Sequence, residues 1–228
     1  MPGFLSSKRK VISKIMAFSF FPRTVYKTKS KISGSIEIKE QLGKYTLHVQ
    51  DLIQSGGMIK NIWGKVLGRI SYKVYSIQRV LVLGLGGGTV IQLIKARYPE
   101  AKIIGVEIDP EIIKISKNFF GLGKIENLKI VNADAIKWVA DYDISYHRSR
   151  FDLIIVDLYI GSKFPQEVAS DEFLKNLKKL FSKKGIIIFN RLVSPSEDLA
   201  GFEEKLKKHF SFLKTIETHT NLLFLARS

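Results

Sequence analysis

Short apolar runs and helix-spaced apolar positions alternate along this chain from Arg79 onward. The runs Arg79–Leu83, Lys102–Val106, Leu128–Val131, Asp152–Val156 and Gly185–Phe189 read as strands. Between them, Thr89–Tyr98, Pro110–Phe120, Ala135–Ala140, Ser170–Phe181 and Ser196–His209 carry the spacing of amphipathic helices. Pro99 ends the first helix, and Pro110 opens the second at the position where its missing N–H costs nothing. Phe212–Glu217 and Leu222–Ala226 close the chain as two strands joined by Thr218-His219-Thr220-Asn221. Leu153-Ile154-Ile155-Val156 and Ile186-Ile187-Ile188-Phe189 are continuously apolar, as parallel strands covered on both faces require. The pattern predicts an α/β domain with a mostly parallel seven-stranded sheet and helices on both faces.

Upstream the rhythm differs. Residues 1–33 form a basic leader in which Val11, Ile12, Ile15, Met16 and Phe20 approximate a helical stripe. Residues 34–57 read as a β-hairpin. Ile36 and Ile38 alternate with Glu37 and Lys39, Leu42-Gly43-Lys44 supplies the turn, and Tyr45, Leu47 and Val49 alternate on the return. After Gly56-Gly57 a helix is predicted from Met58 to Tyr75, and residues 58–228 are assigned to the main domain.

Composition narrows the chemistry. With no cysteine in 228 residues, disulfides, thiolate metal sites and cysteine nucleophiles are excluded. The four histidines are scattered without a metal-ligand spacing. No apolar run reaches the ~20 residues needed to span a bilayer. Lys8-Arg9-Lys10 followed by Ile15–Phe21 faintly resembles a signal peptide, but Lys14 breaks the run and Pro22-Arg23 stands where small residues belong. A cytoplasmic location is therefore expected. The net charge of +16 is concentrated: residues 1–79 hold 15 Lys/Arg against 3 Asp/Glu. A basic third of this kind meets a polyanion or stands as a solvated face.

Four stretches carry candidate chemistry. In Val80-Leu81-Val82-Leu83-Gly84-Leu85-Gly86-Gly87-Gly88 an apolar strand enters glycines ahead of a helix, so the backbone can turn and approach a ligand. A nicotinamide-type turn would want glycine at 89, which is Thr89, and no lysine follows as in a P-loop. Glu107 lies at the tip of the next strand, 23 residues after Gly84, where a carboxylate can accept from both ribose hydroxyls. Asp109, directly before Pro110, is placed as a helix N-cap. Asp134 follows the third strand and suits either an adenine amino group or an N-cap. Asp157 and Tyr159 follow the fourth, where a carboxylate can orient an amine or take its proton.

The stretch Arg79 to about Arg191, with its VLVLGLGGGTV, GVEIDPEIIKISKNFFGL, NADAIKWV, FDLIIVDLYIG and FLKNLKKLFSKKGIIIFN, resembles the spermidine-synthase-like group of S-adenosylmethionine-dependent enzymes. Upstream, YTLHVQDLIQS is similar to the strand and loop of polyamine aminopropyltransferases, which carry a Gln in the place of Gln54. The resemblance spans roughly residues 34–228 and implies a Rossmann-like methyltransferase fold, in which a closing antiparallel hairpin follows five βα units. It implies S-adenosylmethionine, or its decarboxylated form, held by Gly84, Gly86, Gly88, Glu107, Asp134 and Gln54. Asp157 and Tyr159 would face the acceptor, and Gly161–Ala169, with Pro165, would form a lid.

Departures from the aminopropyltransferase pattern bear on the reaction. Gly87 replaces the acidic residue of the glycine turn, and Ile160 replaces the second Asp after the fourth strand. Met58-Ile59-Lys60 occupies the region of a Tyr-His-Glu cluster. GLGGG, VEIDP, FGL and Asn190 look instead like the protein methyltransferases of the group, which include the eukaryotic enzyme acting on elongation-factor lysine and N-terminus. The implied reaction is methyl transfer to an amine, with aminopropyl transfer and a non-catalytic nucleoside- or RNA-binding role as alternatives. The implied partners are the cofactor, an amine acceptor, a polyanion at the basic third, and a second copy of the chain in a homodimer.

Overall fold

A computed structural model describes residues 20–50, 52–70, 77–143, 150–161, 163–195 and 197–227. A four-stranded antiparallel sheet comes first, in the order β1 (Arg23–Ser30), β2 (Gly34–Gln41), β3 (Lys44–Val49), β4 (Leu52–Ser55). Helix α1 (Gly57–Arg69) leads into β5 (Arg79–Leu83), α2 (Thr89–Arg97), β6 (Lys102–Glu107), α3 (Pro110–Phe119), β7 (Leu128–Asn132) and α4 (Ala135–Asp141). Then follow β8 (Phe151–Val156), α5 (Asp171–Leu180), β9 (Phe181–Leu192), α6 (Leu199–His209), β10 (Phe212–Glu217) and β11 (Asn221–Arg227).

The second sheet has seven strands in the order β10-β11-β9-β8-β5-β6-β7. The pairs within β9-β8-β5-β6-β7 are parallel, and β11 runs antiparallel to both β9 and β10. The α/β class and the strand count agree with the hydrophobic pattern. Its alternation also explains the two-faced core. Leu81, Leu83, Ile154, Val156, Ile187 and Phe189 meet Phe173, Leu174 and Leu177 of α5 on one face. Val80, Val82, Leu153, Ile155, Ile186 and Ile188 meet Ile62, Trp63 and Val66 of α1 on the other. Each fully buried Leu or Ile contributes about 1.5–3 kcal/mol.

The N-terminal region differs from its expectation. Residues 34–57 do contain a hairpin, but it is the middle of a larger sheet. β1, inside the segment read as a leader, pairs with β2 from Arg23↔Glu40 to Ser30↔Gly34. Two ion pairs tie this edge down, Arg23–Glu40 at 2.8 Å and Lys27–Glu37 at 2.7 Å. The leader stripe Val11, Ile12, Ile15 and Met16, and the helix continuation over 71–76, lie outside the described residues. The small sheet docks on the main domain through Ile36, Ile38, Leu47 and Val49, which pack against Ile112 and Ile115 of α3. Among the described residues, no helix is long and apolar enough to cross a membrane.

Candidate active site

Strand register builds the site. Leu83 pairs with Val106 and with Val156, and Val156 pairs with Phe189. The next residue on each strand therefore falls in one row at the carboxyl edge: Gly84, Glu107, Asp157 and Asn190. Strand order reverses at β5, between β6 and β8, which is where open α/β sheets bind ligands. A cavity of about 630 Å³ opens there, within the range of nucleoside-sized pockets. The small sheet closes one side of it through Gln54 of β4, and α1 contributes Trp63.

Gly84 sits at φ 87°, and a Cβ there would lie 2.0 Å from the Asp157 carbonyl oxygen. Glycine is needed so that β5 and β8 can end side by side. Glu107 is half-buried and braces the turn. One carboxylate oxygen accepts from Leu85 N–H at 2.9 Å and the other from Asp109 N–H at 3.0 Å. Burial raises its pKa above the ordinary carboxylate value, against the lowering by these backbone donors. Gly86 N–H is a third backbone donor to Glu107, so of the roughly four acceptor positions of a carboxylate about one remains for a ligand hydroxyl.

Asp134 caps α4, accepting from Ile136 N–H at 2.8 Å and Lys137 N–H at 3.4 Å, while also lining the cavity. Both readings of that residue are therefore geometrically compatible. Asp109 is the N-cap of α3, accepting from Glu111 N–H at 2.9 Å. Gly84, Gly86, Glu107, Asp134, Asp157, Tyr159 and Gln54 all line one cavity. Gly88 does not. It leads into α2 at φ 78°, and a Cβ on it would meet the Leu122 side chain at 2.3 Å. Its place is at the helix entry and its packing, away from the ligand space.

Asp157 is held by a chain of amides that was not legible as a unit. Asn190 Nδ2 donates to Asp157 Oδ1 at 2.8 Å, and Asn221 Nδ2 donates to Asn190 Oδ1 at 2.9 Å. Thr220 Oγ1 donates to Asn221 Oδ1 at 2.6 Å. The second bond fixes which end of the Asn190 amide faces Asp157. The Trp63 indole N–H also donates to the carboxylate. Burial outweighs both donors and pushes the Asp157 pKa up to about 6. The Tyr159 hydroxyl is committed to backbone, accepting from Leu192 N–H at 2.7 Å and donating to Asn190 O at 3.3 Å. Burial, followed by the nearby Asp157 charge, raises its pKa. Tyr159 thus lines the cavity with its hydroxyl engaged by backbone, while Asp157 lines it with a carboxyl group whose pKa is raised.

The segment after β8 that was expected to form a lid carries Gly161, Pro165 and Glu167 into the cavity lining. It is held from behind by Arg191, whose guanidinium lies 3.6 Å from the Phe164 ring centroid and 4.5 Å from that of Phe202. Arg191 also pairs with Glu197.

The model of the spermine/spermidine synthase domain matches residues 66–219. The chain belongs to the spermine/spermidine synthase domain family. Within that family it is 30% identical over 113 residues to a polyamine aminopropyltransferase of Vibrio vulnificus, covering 50% of this chain and 37% of that one. It is 32% identical over 124 residues to an eEF1A lysine and N-terminal methyltransferase homolog of Drosophila melanogaster, covering 53% of this chain and 18% of the relative. The chain thus spans less than half the length of these curated relatives. A probable spermidine synthase from Corynebacterium glutamicum shares the fold at a TM-score of 0.73 and 18% identity, over 90% of this chain and 80% of its own. The Rossmann-like methyltransferase architecture expected from the sequence is the one observed.

Proposed function

We propose that this member of the spermine/spermidine synthase domain family is a transferase that uses S-adenosylmethionine to methylate an amine. The residues present fit that cofactor. Glu107 keeps an acceptor position toward the cavity for a ribose hydroxyl, and Asp134 faces the same space as Ile108 and Ile136, which suits an adenine between apolar side chains. Thr89 and Val90 open α2 against the cavity, and no side chain caps that helix, so its N-terminus suits the carboxylate of the methionine moiety.

The observation that favours the carboxylated cofactor is at Gly87. A Cβ there would lie 2.5 Å from both the Cβ and the Oγ of Ser55, a fully buried residue whose hydroxyl bonds to that of Thr89. An acidic side chain at 87 would require β4 to move. The glycine turn therefore carries no carboxylate that could repel the cofactor's own.

When bound, the sulfonium supplies an electrophilic methyl group for in-line displacement. The protein's contribution is then positioning and electrostatics. Glu107 and Asp134 orient the nucleoside, while Asn190 and Trp63 hold Asp157 against the acceptor. Asp157, ionised above pH about 6, takes the proton of an arriving ammonium and leaves the amine its lone pair. The lid segment reduces access of water.

Aminopropyl transfer is the second reading. Identity to aminopropyltransferases favours it, as does Asp157, which is kept from their pattern. Incubation with either cofactor and a panel of amines, followed by mass spectrometry, separates the two. We expect methylated product from S-adenosylmethionine. Aminopropylated product alone would overturn the proposal.

A further inference from the structure

Among the described residues, four carboxylates line the cavity: Glu107, Asp134, Asp157 and Glu167. The first two are occupied with the glycine turn and the α4 cap, at the end assigned to the nucleoside. That leaves Asp157 and Glu167 for an acceptor. Glu167 stands exposed in the short turn Gln166–Ala169, on the lid side.

Beyond the amide chain of Asn190, Asn221 and Thr220 beside Asp157, the cavity mouth is lined by large aliphatic side chains. Ile32, Ile53, Met58 and Ile160 line the same cavity and are 36%, 37%, 48% and 48% exposed. They arrive from four separate places: the β1–β2 turn, β4, the second residue of α1, and the bridge after β8. Scattered exposed aliphatic residues need no explanation, but large ones gathered at one cavity mouth mark a binding surface. The nucleoside end has its own apolar pair, Ile108 and Ile136, so these four are left without an occupant there.

Resting on the transferase reading above, we propose that the acceptor is a small monoamine carried on an apolar body. Its single ammonium lies between Asp157 and Glu167, and its aliphatic or aromatic part covers Ile32, Ile53, Met58 and Ile160. The occupant follows from charge complementarity. Two carboxylates at one end match one ammonium, and a second cationic group on the same chain would be desolvated against aliphatic side chains without a partner. The same residues disfavour a diamine and give the site its specificity.

The test compares hexylamine with hexamethylenediamine, which share a six-carbon chain and differ by one ammonium. Each is titrated calorimetrically into the protein saturated with S-adenosylhomocysteine. We expect hexylamine to bind tighter by about tenfold or more, a difference of about 1.4 kcal/mol. Met58→Glu and Ile160→Asp should narrow or reverse that preference, and Glu167→Gln should weaken both amines. S-adenosylhomocysteine affinity serves as the control that each variant is folded. Equal or tighter binding of the diamine overturns the proposal. So does the absence of any amine binding to a protein that binds S-adenosylhomocysteine. Failure to bind S-adenosylhomocysteine at all would bring down the transferase reading itself, and the acceptor with it.

Discussion

Glu107 has two tasks at once, bracing the glycine turn and presenting its remaining acceptor position to the cavity. Replacing it with Ala should weaken S-adenosylmethionine binding by roughly 1.5–3 kcal/mol, the range for hydrogen bonds to a charged group. Unchanged affinity in a folded variant would remove it from the site. Asp157 makes a different prediction. Its folded pKa of about 6 lies above the ordinary 3.8, so its neutral form is favoured in the folded state. The associated stability is present below pH 3.8 and is lost as pH rises through about 6. Asp157→Asn should lack that loss, gaining up to about 3 kcal/mol over wild type above this window, since one pKa unit is about 1.4 kcal/mol. Urea titrations of both proteins between pH 4 and 8 check this, and parallel curves would contradict it. Asn221 acts through Asn190. Asn221→Ala should let the Asn190 amide turn away and raise the Asp157 pKa further, moving the acid limb of the pH–rate profile upward. A limb that stays in place would mean the amide chain does not position Asp157. Glu107 and Asp157 were legible from the sequence because each follows an apolar strand directly. Asn221 was not, because only the antiparallel return of β11 brings it beside Asn190, and no sequence spacing marks that. Trp63 was read only as an apolar helix position; nothing in its periodicity announces that its indole N–H points at a carboxylate.

Among the elements, the turn into α2 separates a packing role from a binding role. Gly88 holds a left-handed conformation with Leu122 at its back. Gly88→Ala should destabilise the protein by at least about 1–2 kcal/mol for that conformation alone, while cofactor affinity measured well below the melting temperature stays near wild type. A large loss of affinity with unchanged stability would return Gly88 to the ligand site. β1 shows how an element escapes a sequence reading. Arg23–Ser30 alternates in the β-branched and aromatic residues Thr24, Tyr26 and Thr28, a genuine period of two. Its three basic residues, Arg23, Lys27 and Lys29, give it the look of part of a charged leader. The strand is an edge, and edges tolerate lysine where interior strands do not. β9 was read short for a related reason. Ser182, Lys183 and Lys184 interrupt its apolar run, yet Phe181 still pairs with Phe151.

For the whole molecule, the parallel sheet was readable because burial on both faces leaves continuous aliphatic runs that few other structures need. The docking of the small sheet on α3 was not, since it joins residues more than sixty positions apart, such as Ile36 and Ile112, with no shared periodicity. That docking changes how the basic N-terminal third is to be tested. Removing residues 1–33 would delete β1 from its sheet, so a polyanion contact is better probed by removing residues 1–19. If the basic third meets a polyanion, RNA or anionic vesicles will bind the full chain at ~50 mM salt and release steeply as salt rises. Absence of binding there would leave a solvated face, already partly neutralised by Glu37 and Glu40. Preference for the carboxylated cofactor rests on Gly87 packed against Ser55 and on the α2 N-terminus that meets the cavity. Titration calorimetry of S-adenosylmethionine against its decarboxylated form tests it most directly. S-adenosylmethionine should bind at least as tightly. Decarboxylated cofactor binding more than tenfold tighter, a difference of about 1.4 kcal/mol, would contradict it.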